Sequence, residues 1–92
     1  MIKETKMENI NERINIVMNK FDFDGALKIM KAVDWRYQGE EVTLEMIKDT
    51  ARFVMDRAKN YPNMGSVSTG GFEAEYRDGY MYLRFVPFEY VG

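Results

Sequence analysis

Residues 66–88 read SVSTGGFEAEYRDGYMYLRFVPF, and the Asp78-Gly79 dipeptide within them predicts most of the fold. Aspartate followed by glycine is typical of a two-residue hairpin turn in which both residues adopt positive φ. Such a turn sets this register: Arg77 with Tyr80, Tyr76 with Met81, Glu75 with Tyr82, Ala74 with Leu83, Glu73 with Arg84, and Phe72 with Phe85. Apolar pairs alternate with polar or charged ones, and a slip of one residue would turn the apolar set towards solvent. The stretch therefore predicts an antiparallel hairpin with one apolar face.

The composition of the chain narrows the classes of function. The 92 residues include no cysteine and no histidine, which excludes disulfides, thiol nucleophiles, the usual zinc ligands and the commonest general base. Thirteen basic and fifteen acidic residues give a formal charge of -2, so general nucleic-acid binding is not expected. Residues 1–20 lack the continuous apolar segment of a signal peptide or a membrane span. We expect one domain over residues 1–92, located in the cytoplasm, with no membrane partner and no cofactor.

Three helices are predicted before the hairpin, because apolar residues recur at steps of three and four. They span about 7–20, 23–33 and 43–60. Asp22 or Asp24 is expected to cap the second helix, and Thr43 the third. The predicted fold class is α+β, with three N-terminal helices packed on a C-terminal antiparallel β-hairpin or small sheet. The strands are expected at about 66–77 and 80–90, and the polar segment 38–42 as a connection.

The outer face of the predicted hairpin is the first candidate binding site. Alternation points Tyr80, Tyr82 and Arg84 away from the apolar face, and Tyr90 joins them if the alternation continues past Pro87. Tyrosine and arginine are enriched at the sites that dominate protein–protein binding energy. These four residues are therefore the predicted contact surface for a protein partner. A free outer strand could also pair with a second copy of the chain and form a homodimer.

A second candidate site is the Thr69-Gly70-Gly71 segment. Paired glycines let backbone amides approach a phosphate closely, and the neighbouring hydroxyls could add hydrogen bonds. Arg77 or Arg84 would supply the positive charge for a nucleotide or signalling phosphate. No helix is predicted directly after the glycines, so neither a P-loop nor a dinucleotide-binding fingerprint is present. The structural alternative is a β-bulge or a bend in the strand where a helix crosses closely.

Other polar and aromatic residues have simpler structural interpretations. Asp22 with Asp24, and Glu40 with Glu41, could be imagined as metal ligands, but acids at a helix start usually act as caps. Trp35 is expected to pack in the core or at its boundary, although it could also face a partner.

In the order of its motifs, the chain resembles a group of small uncharacterised proteins encoded by phages and prophages. The residues that match are Phe21 to Asp24, Trp35-Arg36-Tyr37, Thr43 with Ala51-Arg52, Ser68 to Phe72, and Leu83-Arg84-Phe85. The resemblance covers about residues 21–90 and departs from the pattern at Tyr37 and Val42, where tryptophan and proline are commoner. It implies a phage accessory protein in the cytoplasm of a bacterial host, and it supplies no catalytic residues.

The preferred hypothesis is a non-enzymatic phage or prophage protein that binds a host or phage macromolecule, such as an inhibitor of a bacterial defence system. The alternative is a small-ligand protein that binds a nucleotide or signalling phosphate at the glycine pair. An accessory to phage DNA metabolism would need a basic stripe, and Lys48, Arg52 and Lys59 lie among acids. A hydrolase is disfavoured because no paired-carboxylate spacing supports one.

Overall fold

The computed structural model describes residues 2–63 and 65–86. In chain order the elements are helix α1 (Ile2–Lys20), helix α2 (Phe23–Ala32), strands β1 (Arg36–Tyr37) and β2 (Glu40–Glu41), helix α3 (Leu44–Lys59), and strands β3 (Val67–Thr69), β4 (Phe72–Arg77) and β5 (Tyr80–Phe85). The α+β class is confirmed. The predicted order is wrong in one respect, because the β1–β2 hairpin separates the second helix from the third. The C-terminal sheet has three strands in the order β3-β4-β5.

Side-chain caps fix where the second and third helices begin. The Oδ1 atom of Asp22 accepts a hydrogen bond from the Gly25 amide at 3.0 Å, ahead of α2. The hydroxyl of Thr43 accepts one from the Met46 amide at 3.2 Å, ahead of α3. Each cap pairs an amide that has no partner inside its helix. Both predicted cap positions are therefore confirmed, and Asp22 is the cap residue of α2.

Helix α2 ends in a left-handed residue, Asp34, with φ of 56°. The amide of Asp34 donates to the Lys31 carbonyl at 3.1 Å, and the amide of Trp35 donates to the Met30 carbonyl at 2.9 Å. This pair of bonds is the Schellman arrangement, which closes a helix and redirects the chain. It brings Trp35 back against the core, as expected for a packing residue.

Three two-residue hairpin turns within residues 2–63 and 65–86 share one backbone geometry, with positive φ at both central residues. They are Gln38-Gly39, Gly70-Gly71 and Asp78-Gly79. Only the last was predicted. The expected connection at 38–42 is wrong, because Gln38-Gly39 forms a hairpin turn between β1 and β2. The expected single strand at 66–77 is also wrong, because Gly70-Gly71 reverses the chain and splits it into β3 and β4.

The register of the predicted hairpin is confirmed at all of its cross-strand pairs, from Arg77 opposite Tyr80 to Phe72 opposite Phe85. The predicted continuation of the second strand to residue 90 falls partly outside the described residues. The inward side chains Phe72, Ala74 and Met81 are buried against the helices. The rest of the buried core comes mainly from the helices: Ile14, Phe23, Ala26, Met30, Val42, Ile47, Ala51, Val54, Met55 and Ala58.

The helices lie on one side of the sheet. Helix α3 contacts all three strands, α1 packs against β5 and α3, and α2 packs against α3. At one end of the sheet the ring of Phe72 lies 5.9 Å from that of Phe21 and 5.2 Å from that of Phe85. The opposite side of the sheet is not covered by any helix of the described chain. Among the described residues, no helix combines the length and the apolar character needed to cross a membrane.

Candidate functional site

The uncovered side of the sheet brings together most residues of the first predicted site. We call this surface the outer face; it consists of Ser66, Ser68, Glu73, Glu75, Arg77, Tyr80, Tyr82 and Arg84. Because successive side chains of a strand point to opposite sides, the confirmed register places these residues together, with Ser66 extending the line of β3. Tyr90, the fourth predicted contact residue, lies outside the described residues.

The two tyrosines of the outer face differ in their surroundings. Tyr80 and Tyr82 are 50% and 52% exposed, respectively. The guanidinium of Arg13, on α1, lies 4.2 Å from the centroid of the Tyr80 ring, a cation–π contact that ties the start of β5 to the helix. Tyr82 stands opposite Glu75 in the middle of the strand. Tyr82 is therefore the aromatic ring that the outer face presents most directly, whereas Tyr80 also has a structural contact.

Arg84 forms an ion pair with Glu73 across the β4–β5 ladder. The hydroxyl of Ser66 donates a hydrogen bond to the other carboxylate oxygen of Glu73 at 2.7 Å. The hydrogen bond from Ser66, followed by that from Arg84, lowers the pKa of Glu73 below its usual value. The carboxylate of Glu73 is therefore held ionised and fixed between two partners.

Arg77 is paired with a second carboxylate on the same face. Its Nε and Nη2 atoms lie 2.9 Å and 2.5 Å from Oε2 of Glu75. These hydrogen bonds, and the attraction between the two charges, raise the pKa of Arg77 above its usual value. Both arginines of the outer face are thus matched by its own carboxylates. The face presents aromatic and hydrogen-bonding groups with no net charge.

The Thr69-Gly70-Gly71 segment forms a hairpin turn, so the expected β-bulge or strand bend is wrong, whereas the expected close crossing of a helix at the glycines is present. A Cβ atom on Gly70 would lie 2.8 Å from Cγ2 of Thr50, and the φ of Gly70 is 59°. The carbonyl of Gly71 accepts a hydrogen bond from the Val86 amide at 2.7 Å. Turn geometry and close packing on α3 are sufficient reasons for glycine at this position.

A groove of about 350 Å³ lies beside this turn, between α3 and β3. Its lining residues are Asp49, Thr50, Phe53 and Thr69. The hydroxyl of Thr50 donates to the Met46 carbonyl at 2.9 Å, and its methyl group lies close to Gly70. Phe53 is 50% exposed. The groove therefore combines an aromatic wall with one carboxylate.

The arginines required by the phosphate hypothesis do not converge on the glycine turn. Arg77 lies at the far end of β4, and five residues of strand span roughly 17 Å. Arg84 lies on the outer face, whereas Thr69 points to the helical side, in register with Phe72. Among the described residues that line the groove, the charged one is Asp49, which would repel a phosphate.

Sequence reasoning missed the contributions of Phe53 and Arg13. Phe53 lies off the buried stripe of α3, between Ala51 and Val54, and a large aromatic side chain on the polar side of a helix was the available signal. Arg13 had no local signal, because its contact with Tyr80 depends on how α1 packs on the sheet. Among the described residues, no group of three or more acidic side chains could hold a metal ion.

Comparison of the chain with protein-family models, with curated proteins and with solved structures finds no match.

Proposed function

We propose that this chain is a non-enzymatic binding protein that contacts a protein partner through the outer face of its sheet. The observation that supports this most strongly is the one-sided packing of the sheet. The inner side is filled by the helices, while the outer side exposes about half of Tyr80 and of Tyr82. Two tyrosines on an uncovered sheet exceed what solubility requires, and tyrosine is a residue type that dominates binding energy at protein interfaces.

The charge arrangement of this face favours a protein over a nucleic acid. Arg77 and Arg84 already pair with Glu75 and Glu73. A phosphate backbone would have to compete with these carboxylates for each arginine, and the carboxylates would repel it. A protein surface can instead cover Tyr82 and form hydrogen bonds with the paired side chains at the rim. Binding should therefore depend only weakly on ionic strength.

The biological setting of the proposal comes from the sequence resemblance alone. A phage or prophage accessory protein acts on a host or phage macromolecule, and an inhibitor of a bacterial defence system is one such role. A small protein with an uncovered, aromatic sheet face suits inhibition by occlusion, because blocking a partner's surface requires contact area and no catalytic group.

Affinity purification from the bacterial host, with variants of the tagged full-length chain, tests this proposal. The test bait carries Tyr82→Ala with Arg84→Ala, and the matched control carries Tyr61→Ala, which removes an equally exposed aromatic ring that belongs neither to the outer face nor to the groove. We expect a specific partner to be recovered with the wild-type chain and with the control, and lost with the double variant. Circular dichroism should show that all three baits are folded. Recovery of the same partner with the double variant would exclude the outer face.

The alternative function is a small-ligand protein that uses Thr69, Gly70 and Gly71. The observation in its favour is the groove that Thr69 lines. The position of Asp49 in that groove counts against a phosphate. A panel of nucleotides and signalling phosphates, each added at millimolar concentration, checks it by thermal shift. A raised melting temperature that Asp49→Asn increases further would favour the alternative, and no shift with any compound would remove it.

A further inference from the structure

We infer that the groove between α3 and β3 is a second binding site, which accepts an extended peptide segment bearing a basic side chain. The site is separate from the outer face, because Thr69 and Phe53 lie on the helical side of the sheet. The peptide would add a fourth strand beside β3 and place its basic side chain between Phe53 and Asp49.

The backbone of β3 offers the hydrogen bonds for such a strand. Thr69 and Phe72 flank a two-residue turn, so they form the hydrogen-bonded pair that closes the hairpin. The next pair, Ser68 with Glu73, is then a non-hydrogen-bonded pair, and the N–H and C=O of Ser68 point away from β4. Since β3 is an edge strand in the part of the chain that the structure describes, these groups have no neighbouring strand there. An extended peptide satisfies both of them, as in other cases of strand addition.

The opposite edge of the sheet is less accessible. Helix α1 packs against β5, and Arg13 reaches from that helix to the ring of Tyr80. A strand added beside β5 would have to compete with α1. Strand addition is therefore favoured at β3.

The groove determines which side chain the added strand should carry. A peptide residue opposite Thr69 points to the same side as Thr69, which is towards Phe53 and Asp49. The methyl group of Thr50 and the ring of Phe53 suit the aliphatic stem of arginine or lysine, and the carboxylate of Asp49 suits its charged end. The guanidinium of Arg57 lies 5.7 Å from the centroid of the Phe53 ring. Arg57 follows Asp49 by eight residues, roughly 12 Å along the helix. Arg57 therefore lies away from the end of the groove where Asp49 would pair with the basic side chain of the peptide.

The probe for this inference is the peptide acetyl-Thr-Val-Arg-Val-Thr-amide, titrated into the ¹⁵N-labelled full-length chain. The control peptide replaces arginine with citrulline, which has the same shape and no charge. We expect saturable shifts of the Ser68, Thr69 and Gly70 amide signals, with affinity on the order of millimolar because a short flexible peptide loses much entropy on binding. The citrulline peptide and the Asp49→Asn variant should each weaken binding about tenfold, the value of one charged hydrogen bond.

Two further variants separate the backbone contact from the charge. Ser68→Pro removes the outward amide, and an edge strand tolerates proline where the N–H faces solvent. This variant should keep its fold and lose peptide binding. Glu12→Gln is the charge control. Glu12 is an exposed residue of α1, and its replacement removes one negative charge, as Asp49→Asn does on α3. The Glu12→Gln variant should bind the peptide normally.

Several results would overturn the inference. These are unchanged Ser68 and Thr69 signals at millimolar peptide, equal binding of the arginine and citrulline peptides, and normal binding by a folded Ser68→Pro variant. Concentration-dependent shifts of Ser68 without peptide would also overturn it, because the occupant of the edge would then be a second copy of the chain. Variants of Tyr82 and Arg84 should leave peptide binding unchanged. A negative result for the groove can therefore be distinguished from a negative result for partner binding at the outer face.

Discussion

At Gly70, two separate constraints exclude a side chain. The backbone has φ of 59°, which L-residues rarely adopt, and an added Cβ would lie 2.8 Å from the Thr50 methyl carbon. Gly79 has a φ of 83° but no atom within 4 Å of an added Cβ. Comparing alanine substitutions at the two glycines therefore separates two contributions to the loss of stability, the backbone strain at positive φ and the steric clash of the added Cβ.

We predict that Gly70→Ala lowers the free energy of unfolding by about 2–4 kcal/mol, because left-handed strain and overpacking add. Gly79→Ala should cost only about 1–2 kcal/mol, from strain alone. Urea denaturation measures both. Thr50→Ser removes the opposing methyl group and keeps the hydroxyl, so it should restore part of the loss in Gly70→Ala and nothing in Gly79→Ala. Equal losses in the two glycine variants would show that Gly70 does not pack tightly on α3.

One of the three hairpin turns could be predicted from its residues, and two could not. Asp78-Gly79 lies between strands with clear alternation, so turn chemistry and pattern agree. Gly70-Gly71 has the same geometry, but the strand before it has only three residues, two of them exposed, and shows no apolar alternation. At Gln38-Gly39 the first residue is glutamine, which is uncommon at positive φ, and the flanking strands have two residues each.

At the scale of elements, the carboxylate of Glu73 links three segments of the sheet. It accepts a hydrogen bond from Ser66, before β3, and pairs with Arg84 on β5, while Glu73 itself lies on β4. Both contacts are stronger with the ionised carboxylate than with the protonated one, which is why the pKa of Glu73 is lowered in the folded chain. This link makes the stability of the sheet dependent on pH.

Because the pKa of Glu73 is lower in the folded state, the unfolded state binds the proton first as the pH falls. The stabilisation from Glu73 should be complete above its unfolded pKa of about 4.3 and should be lost as the pH falls through the lower folded value. We therefore expect the stability difference between the wild-type chain and Glu73→Gln to shrink in this range. Urea denaturation at a series of pH values measures it, with Glu12→Gln as the exposed control. A difference that stays constant down to pH values well below the unfolded pKa would contradict the linkage.

The sequence could predict which residues of the candidate sites share a strand face, but not which contacts they make with other helices and strands. Alternation around Asp78-Gly79 was sufficient to place Tyr80, Tyr82 and Arg84 on one face, and the observed register agrees. Their surroundings were not predictable, because the Arg13 contact with Tyr80 depends on the packing of α1 against β5. The groove beside Thr69 was missed for the same reason, since it exists only where α3 crosses the short strand β3.

The described chain places its helices in one layer on one side of a three-stranded sheet. This arrangement buries the apolar side of the sheet and leaves the outer face without a helical cover. Covering Tyr82 and its neighbours would remove further apolar area from water, which is the main driving force of association. The paired charges Glu73–Arg84 and Glu75–Arg77 add hydrogen-bonding groups without a net charge. We therefore expect the outer face to be the surface that a partner covers.

Hydroxyl-radical footprinting of the chain, free and bound to its partner, tests this claim most directly. Tyr80, Tyr82 and Tyr61 are all about half exposed in the free chain, so they form a matched set of tyrosine reporters. We predict that the partner strongly reduces oxidation of Tyr82 and Tyr80 and leaves that of Tyr61 unchanged. Protection of Tyr61, with Tyr82 oxidised as in the free chain, would contradict the assignment of the outer face as the binding surface.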